Sequence, residues 1–172
     1  MEVKRGEKLF QGLQGVVVAD TGSLQVHTEA PGFVDITEPV VNFVEESGML
    51  VGLLTIFSKH TTAAIVVQEK ESMLMKDINL FLESLAPRNG PYHHNNFELR
   101  TENMQEEESP NGHAHLQHML LGSSQAIPIV AGKLALGRWQ RIFLVELDSP
   151  RDREVQFLMT GFQVSPVKGK EG

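Results

Sequence analysis

The chain has 172 residues, 41% of them hydrophobic, and a formal net charge of −7. That size and apolar share suit one domain with its own core, and the acidic balance, with no basic run longer than Lys4-Arg5, argues against a nucleic-acid or anionic-membrane surface. The absence of cysteine removes thiolate nucleophiles, Cys-ligated metals and disulfides, so any metal must rest on His, carboxylate, carbonyl or water.

Residues 1–11 lack the apolar stretch of a signal peptide, and no apolar run approaches the roughly 20 residues of a spanning helix. A cytoplasmic location is the expectation. Val16-Val17-Val18-Ala19 and Leu24-Gln25-Val26-His27-Thr28 read as two strands around the turn Asp20-Thr21-Gly22-Ser23, an N-terminal hairpin. A short amphipathic helix follows, with Thr37 as N-cap, Pro39 in its first turn and Gly48 as terminator. Met49 to Phe57 and Ala63 to Val67 are strand-like, so Ser58-Lys59-His60-Thr61-Thr62 should lie between or within paired strands. Glu71 to Ala86 carries Met73, Leu74, Ile78, Phe81, Leu82 and Leu85 at helical spacing and closes at Pro87.

Arg88 to Gly112 is polar and long for a connection inside a compact domain, which is more often functional than idle. Only Phe97 to Arg100 within it could form a strand. His113 to Leu121 fits a short helix ending at Gly122. Ala126 to Val130 and Lys133 to Leu136 flank Ala131-Gly132 as a hairpin, and Arg141 to Leu147 and Val155 to Val164 add strands around Asp148-Ser149-Pro150-Arg151. The sum is an α+β fold of about eight strands and three helices. Its sheet is expected to be mainly antiparallel, because strands follow one another through tight turns. Residues 166–172 are expected to form a flexible tail.

Six of the seven histidines lie between His60 and His118, five of them at positions 93, 94, 113, 115 and 118. Imidazole both titrates near neutral pH and ligates borderline metals, so such a group suits a metal or acid–base site; it also suits surface histidines making ordinary hydrogen bonds. His115 and His118, at i and i+3, would share a helix face. The hydroxyls and ammonium around His60 suit a phosphate or carboxylate ligand, with a polar hairpin turn as the plainer alternative. Glu146 interrupts an apolar strand and needs a cation, a donor or solvent. Glu69, closing the Ala63 to Gln68 run, poses the same question. Trp139 between Arg138 and Arg141 offers an aromatic face beside guanidinium groups, which core packing would explain equally well.

Lys59-His60-Thr61-Thr62-Ala63-Ala64 with Glu69 beyond it, Tyr92-His93-His94, Asn111-Gly112-His113-Ala114-His115-Leu116 running to Gly122-Ser123-Ser124, and Gly137-Arg138-Trp139-Gln140 leading to Val145-Glu146-Leu147 follow one another in order. Together they resemble the YjbQ-like family over roughly Gly52 to Gly161. The resemblance implies a single α+β domain with a barrel-like, mostly antiparallel sheet, assembling as a trimer. It further implies a divalent metal ion held by His60, His94 and His115, with His113 as a further ligand. The activity it implies is that of a secondary thiamine-phosphate synthase, a metal-dependent condensation of a pyrimidine diphosphate with a thiazole phosphate that releases pyrophosphate. His60, Glu146 and Glu69 would then be catalytic, Thr61, Thr62, Ser123 and Arg138 would grip phosphate, and Trp139 would lie against the heterocycle. The alternative expectation is a non-catalytic trimer that binds a small phosphorylated metabolite. The chain departs from the family pattern at His113, Ser123 and Arg138, in the insertion-like segment Phe97 to Pro110, and in the extra His118.

Overall fold

The computed structural model describes residues 15–29 and 31–164; the expectations for residues 1–11 and 166–172 lie outside them. Two antiparallel sheets curl around one core. The larger has the order β1-β8-β3-β5-β6 and the smaller β2-β7-β4, with β1 at Gly15–His27, β2 at Gly32–Asp35, β3 at Met49–Ser58, β4 at Ala63–Glu69, β5 at Ser124–Val130, β6 at Lys133–Leu134, β7 at Gln140–Glu146 and β8 at Asp152–Val164. Three α-helices complete the α+β domain: α1 at Thr37–Ser47, α2 at Ser72–Leu85 and α3 at Gly112–Leu121. No helix among the described residues is long and apolar enough to cross a membrane.

The N-terminal hairpin is not formed. Residues 15–27 make one continuous strand paired with β8 along its whole length, from Gly15 opposite Val164 to His27 opposite Asp152. Gly22 serves packing rather than a turn, since a Cβ there would come within 2.7 Å of Phe43 Cε2. The β3–β4 connection also differs from expectation. The two strands belong to different sheets, so Lys59 to Thr62 crosses from one sheet to the other instead of closing a hairpin. Ser58 Oγ donates to Ala63 O at 2.7 Å across this turn.

Helix boundaries follow their sequence signals. Glu71 caps α2 by accepting from the N–H groups of Met73 and Leu74, and Gly48, at φ 68°, takes the left-handed conformation that ends α1. Thr37 lies one residue inside the helix it was expected to cap, with Ile36 at the boundary. Only Leu82 of α2 is buried, while Phe81 and Leu85 remain on the surface.

The core has two parts. Leu54, Ile56, Ile65, Ile142, Leu144, Val155, Phe157 and Met159 pack between the sheets with Val40 and Val44 of α1. Ala64, Phe143, Val145 and Leu147 face the other way, toward Leu82 of α2 and Ala114 of α3. β7 is therefore buried on both faces, its odd and even residues serving different clusters. Glu146 falls on the side of Ile142 and Leu144 by the period-2 geometry of a strand.

Candidate functional site

The crossing turn brings its polar residues onto the start of β8. Glu154 N–H donates to His60 Nε2 at 2.8 Å, and Lys59 Nζ pairs with the Glu154 carboxylate at 3.1 Å. An imidazole whose Nε2 accepts must carry its proton on Nδ1 when neutral. Burial, and then the neighbouring Arg153 charge, hold the His60 pKa below its ordinary value, in accord with that neutral tautomer.

Beneath the turn lies an ion pair. Glu146 is 1% exposed and Arg153 3% exposed. Arg153 engages the carboxylate through Nη2 to Oε1 at 2.5 Å and Nε to Oε2 at 2.6 Å. Thr28 Oγ1 and Asp148 N–H also donate to that carboxylate, and Arg153 Nη2 reaches Thr62 Oγ1 at 3.1 Å. Burial pulls the Glu146 pKa upward, but these donors together outweigh it and hold the group below its ordinary range. The carboxylate that interrupts β7 thus points inward, with both oxygens satisfied. Beside it, Arg151 binds Asp148 Oδ2 at 2.7 Å and Ser149 Oγ at 3.3 Å.

The opposite wall comes from the long connection, which forms a 3-10 turn at His93–Asn95 and no strand over 97–100. Arg100 ties it together, donating to Glu108 Oε1 at 2.6 Å and to the carbonyls of His94, Glu102 and Asn103. Its Nη1 also stands 3.2 Å from His94 Nε2. Because guanidinium only donates, that nitrogen of His94 is an acceptor. The His94 and His115 rings meet edge to face, 4.6 Å apart at 68°. Burial, first of all, lowers the His115 pKa.

These two walls enclose an open cleft of about 660 Å³, lined by Lys59, His60, Thr61 and Thr62 from the turn, Arg151 and Arg153 from β8 and the bend before it, and His94, Arg100, Asn111 and His115. Glu102, Glu107 and Glu108 line it from the long connection. Four cationic side chains in one cleft of an acidic protein were not singled out by the sequence, apart from Lys59. Arg153 was nonetheless legible: counting back by twos from the buried Met159, Phe157 and Val155 places it on the core face.

The sequence-derived candidates separate into groups. His60, Thr61, Thr62, His94 and His115 share the cleft. His113 lies behind it, 2% exposed, with neither ring nitrogen in a hydrogen bond, and lines a separate 260 Å³ cavity with Glu146 and Arg88. Ser123 bonds His118 Nε2 at 3.1 Å outside the cleft lining. Arg138 stacks over Trp139 at 4.5 Å, where the indole is 61% exposed, and Glu69 ends β4 on the surface. None of these last three lines the cleft. Among the described residues no three His, Asp or Glu side chains gather as a set for a metal ion, and the Nε2 atoms of His60 and His94 already face protein donors.

Residues 22–162 match the profile of the family described as UPF0047 protein YjbQ-like. A UPF0047 protein of Methanothermobacter thermautotrophicus is 39% identical over 128 residues, covering 74% of this chain and 82% of that protein. Another from Archaeoglobus fulgidus is 40% identical over 122 residues, covering 71% and 86%. Among solved structures, a YbjQ-like protein of unknown function from Sulfolobus solfataricus P2 superposes with a TM-score of 0.76 at 36% identity, covering 85% of this chain and 99% of that one. These relatives correct the functional expectation. They carry no thiamine-phosphate synthase description, and the Sulfolobus structure is one of unknown function, so the metal-dependent, pyrophosphate-releasing condensation is not sustained.

Proposed function

The chain belongs to the UPF0047 YjbQ-like family, and from that premise and the cleft geometry we propose that it binds a small organic anion, a phosphate ester being the best-matched charge. The observation that carries this reading is the convergence of Lys59, Arg100, Arg151 and Arg153 with Thr61 and Thr62 in one cleft of a chain with net charge −7. Each cation holds a carboxylate on one edge, which fixes its orientation before any ligand arrives. Lys59 Nζ still has two N–H bonds to give, and Arg151 spends Nε and Nη2 but not Nη1. Thr61 Oγ1 and the Nδ1–H of His60 add two neutral donors. Charge-assisted donors of this kind suit the oxygens of a phosphoryl or carboxylate group. The carboxylates on the facing wall favour an anion small enough to remain on the β8 side. Calorimetric titration with inorganic phosphate tests this: saturable binding is expected, weakened at least tenfold (about 1.4 kcal/mol) by Arg151→Met. No binding to the wild type would refute it.

We further propose that the protein self-associates, a trimer being the state the resemblance implies. Support comes from exposed apolar side chains on α2 and α3, among them Phe81 at 60%, Leu85 at 53% and Leu120 at 55%. Those three residues line one groove of about 550 Å³. Apolar side chains grouped at an open groove mark interaction sites. Light scattering after size exclusion should give a multimer that Phe81→Lys shifts toward monomer; a monomeric wild type would contradict it.

A further inference from the structure

The cleft does not end at its two imidazoles. His94 and His115 line it on one side and on the other line a second recess of about 400 Å³, completed by Tyr92, His93, Gly112 and Leu116. The T-shaped histidine pair, 4.6 Å between centroids, is thus a shared wall between a cationic compartment and one whose remaining side chains are largely aromatic or aliphatic.

The far wall of this recess is rigidly built. A Cβ on Gly90 would lie 2.7 Å from Tyr92 Cζ, and one on Gly112 would lie 2.6 Å from Tyr92 Cβ, so both glycines let the tyrosine sit against backbone. The Tyr92 hydroxyl donates to Pro87 O at 2.7 Å, and Gly112 N–H donates to Asn95 Oδ1 at 2.9 Å, which joins the 3-10 turn to the start of α3. Leu116 stands one residue beyond His115 on α3, 41% exposed and outside both core clusters. An apolar side chain held beside a preorganised ring, next to a polar cleft, is the pattern of a ligand site with a separate place for carbon.

We propose that the ligand of this protein is an organic anion with a compact apolar body: the anionic group sits among Lys59, Thr61 and Arg151, and the carbon part reaches over the rim of the His94–His115 wall toward the recess of Tyr92 and Leu116. This rests on the anion-binding reading above and adds the chemical class of what the anion is attached to. His94 and His115 then act as specificity-determining residues, their ring faces meeting the carbon part where it leaves the charged compartment.

The test compares inorganic phosphate with phenyl phosphate by calorimetry on the full chain, in the wild type, Leu116→Ser and Leu116→Met. Phenyl phosphate is expected to bind about tenfold tighter than phosphate to the wild type, from the apolar area removed from water. Leu116→Ser should erase that margin while leaving phosphate affinity within about twofold, since Leu116 lines the recess and not the cationic cleft. Leu116→Met should retain the margin, which separates a lost contact from a damaged fold. The inference is overturned if phosphate binds but phenyl phosphate binds no tighter, or if the margin survives Leu116→Ser. Failure of both anions to bind would remove the anion-binding reading and this inference with it.

Discussion

The two walls of the cleft are built by opposite means. On the β8 side, Arg153 and Glu146 are buried between packed strands and satisfy one another, Thr28, Thr62 and the Asp148 N–H. On the other side, a connection without strands is gathered around one guanidinium, Arg100, whose partners all lie between His94 and Glu108. A buried pair couples its wall to the global stability of the domain, whereas a local knot can open by itself. The Arg153–Glu146 pair is thus as permanent as the fold, while the segment that Arg100 gathers can open without it.

Removing one partner of the buried pair should produce the largest effect. Glu146→Ala leaves Arg153 charged and unpaired at 3% exposure and should cost about 3–5 kcal/mol, seen as a large drop in Tm. An unchanged melt would break the contrast between the walls. Arg100→Ala should act locally instead: amide exchange across residues 94–108 should accelerate by about tenfold or more while β7 stays protected. Loss of protection in β7 as well would show that the connection is not an independent unit.

Acid should sharpen the comparison further. His60, His113, His115 and His118 all have lowered pKa values, with burial as the first cause of each. A lowered histidine pKa means that the unfolded chain binds more protons than the folded one, so stability is fully present above the unfolded value of about 6.5 and declines as pH falls below it. Denaturant midpoints measured from pH 7.5 to 5 should fall accordingly, and His118→Gln should flatten part of that slope. A stability that rose on acidification would contradict these assignments. Smallest should be the effect of Lys59→Ala on folding, because the Lys59–Glu154 pair is open to solvent. Its Tm should stay within about 2 °C of wild type, while phosphate affinity falls.

Most of the scaffold was legible because its signals are local. The capping Glu71, the Gly48 terminator, the Ala131-Gly132 hairpin and the α3 stop at Gly122 are each decided by a few neighbouring residues. The errors came where tertiary pairing overrode local chemistry. Asp20 to Ser23 has turn composition, yet β8 offers an unbroken ladder of partners to residues 15–27, and Gly22 is small because Phe43 packs over it. The Lys59 to Thr62 turn could not reveal from sequence that its flanking strands lie in different sheets. In the site, the histidine cluster was visible but not its division. His113 and His115 are two residues apart on α3, so they face different sides of the helix, and only His115 reaches the cleft. Arg151 and Arg153 carry no such signal as a pair, because charged residues beside a turn ordinarily face solvent, although strand alternation places Arg153 with the core.

Amide chemical shifts during a phosphate titration read most directly whether Lys59, Thr61 and Arg151 hold an anion on the β8 side of the cleft. On the 15N-labelled protein, inorganic phosphate should shift the amides of Lys59 to Thr62 and Arg151 to Glu154 together along one saturable curve, with Gly15 to Gly22 at the far end of β1 unmoved. Shifts scattered over the surface without saturation, or none in those two segments, would contradict the account.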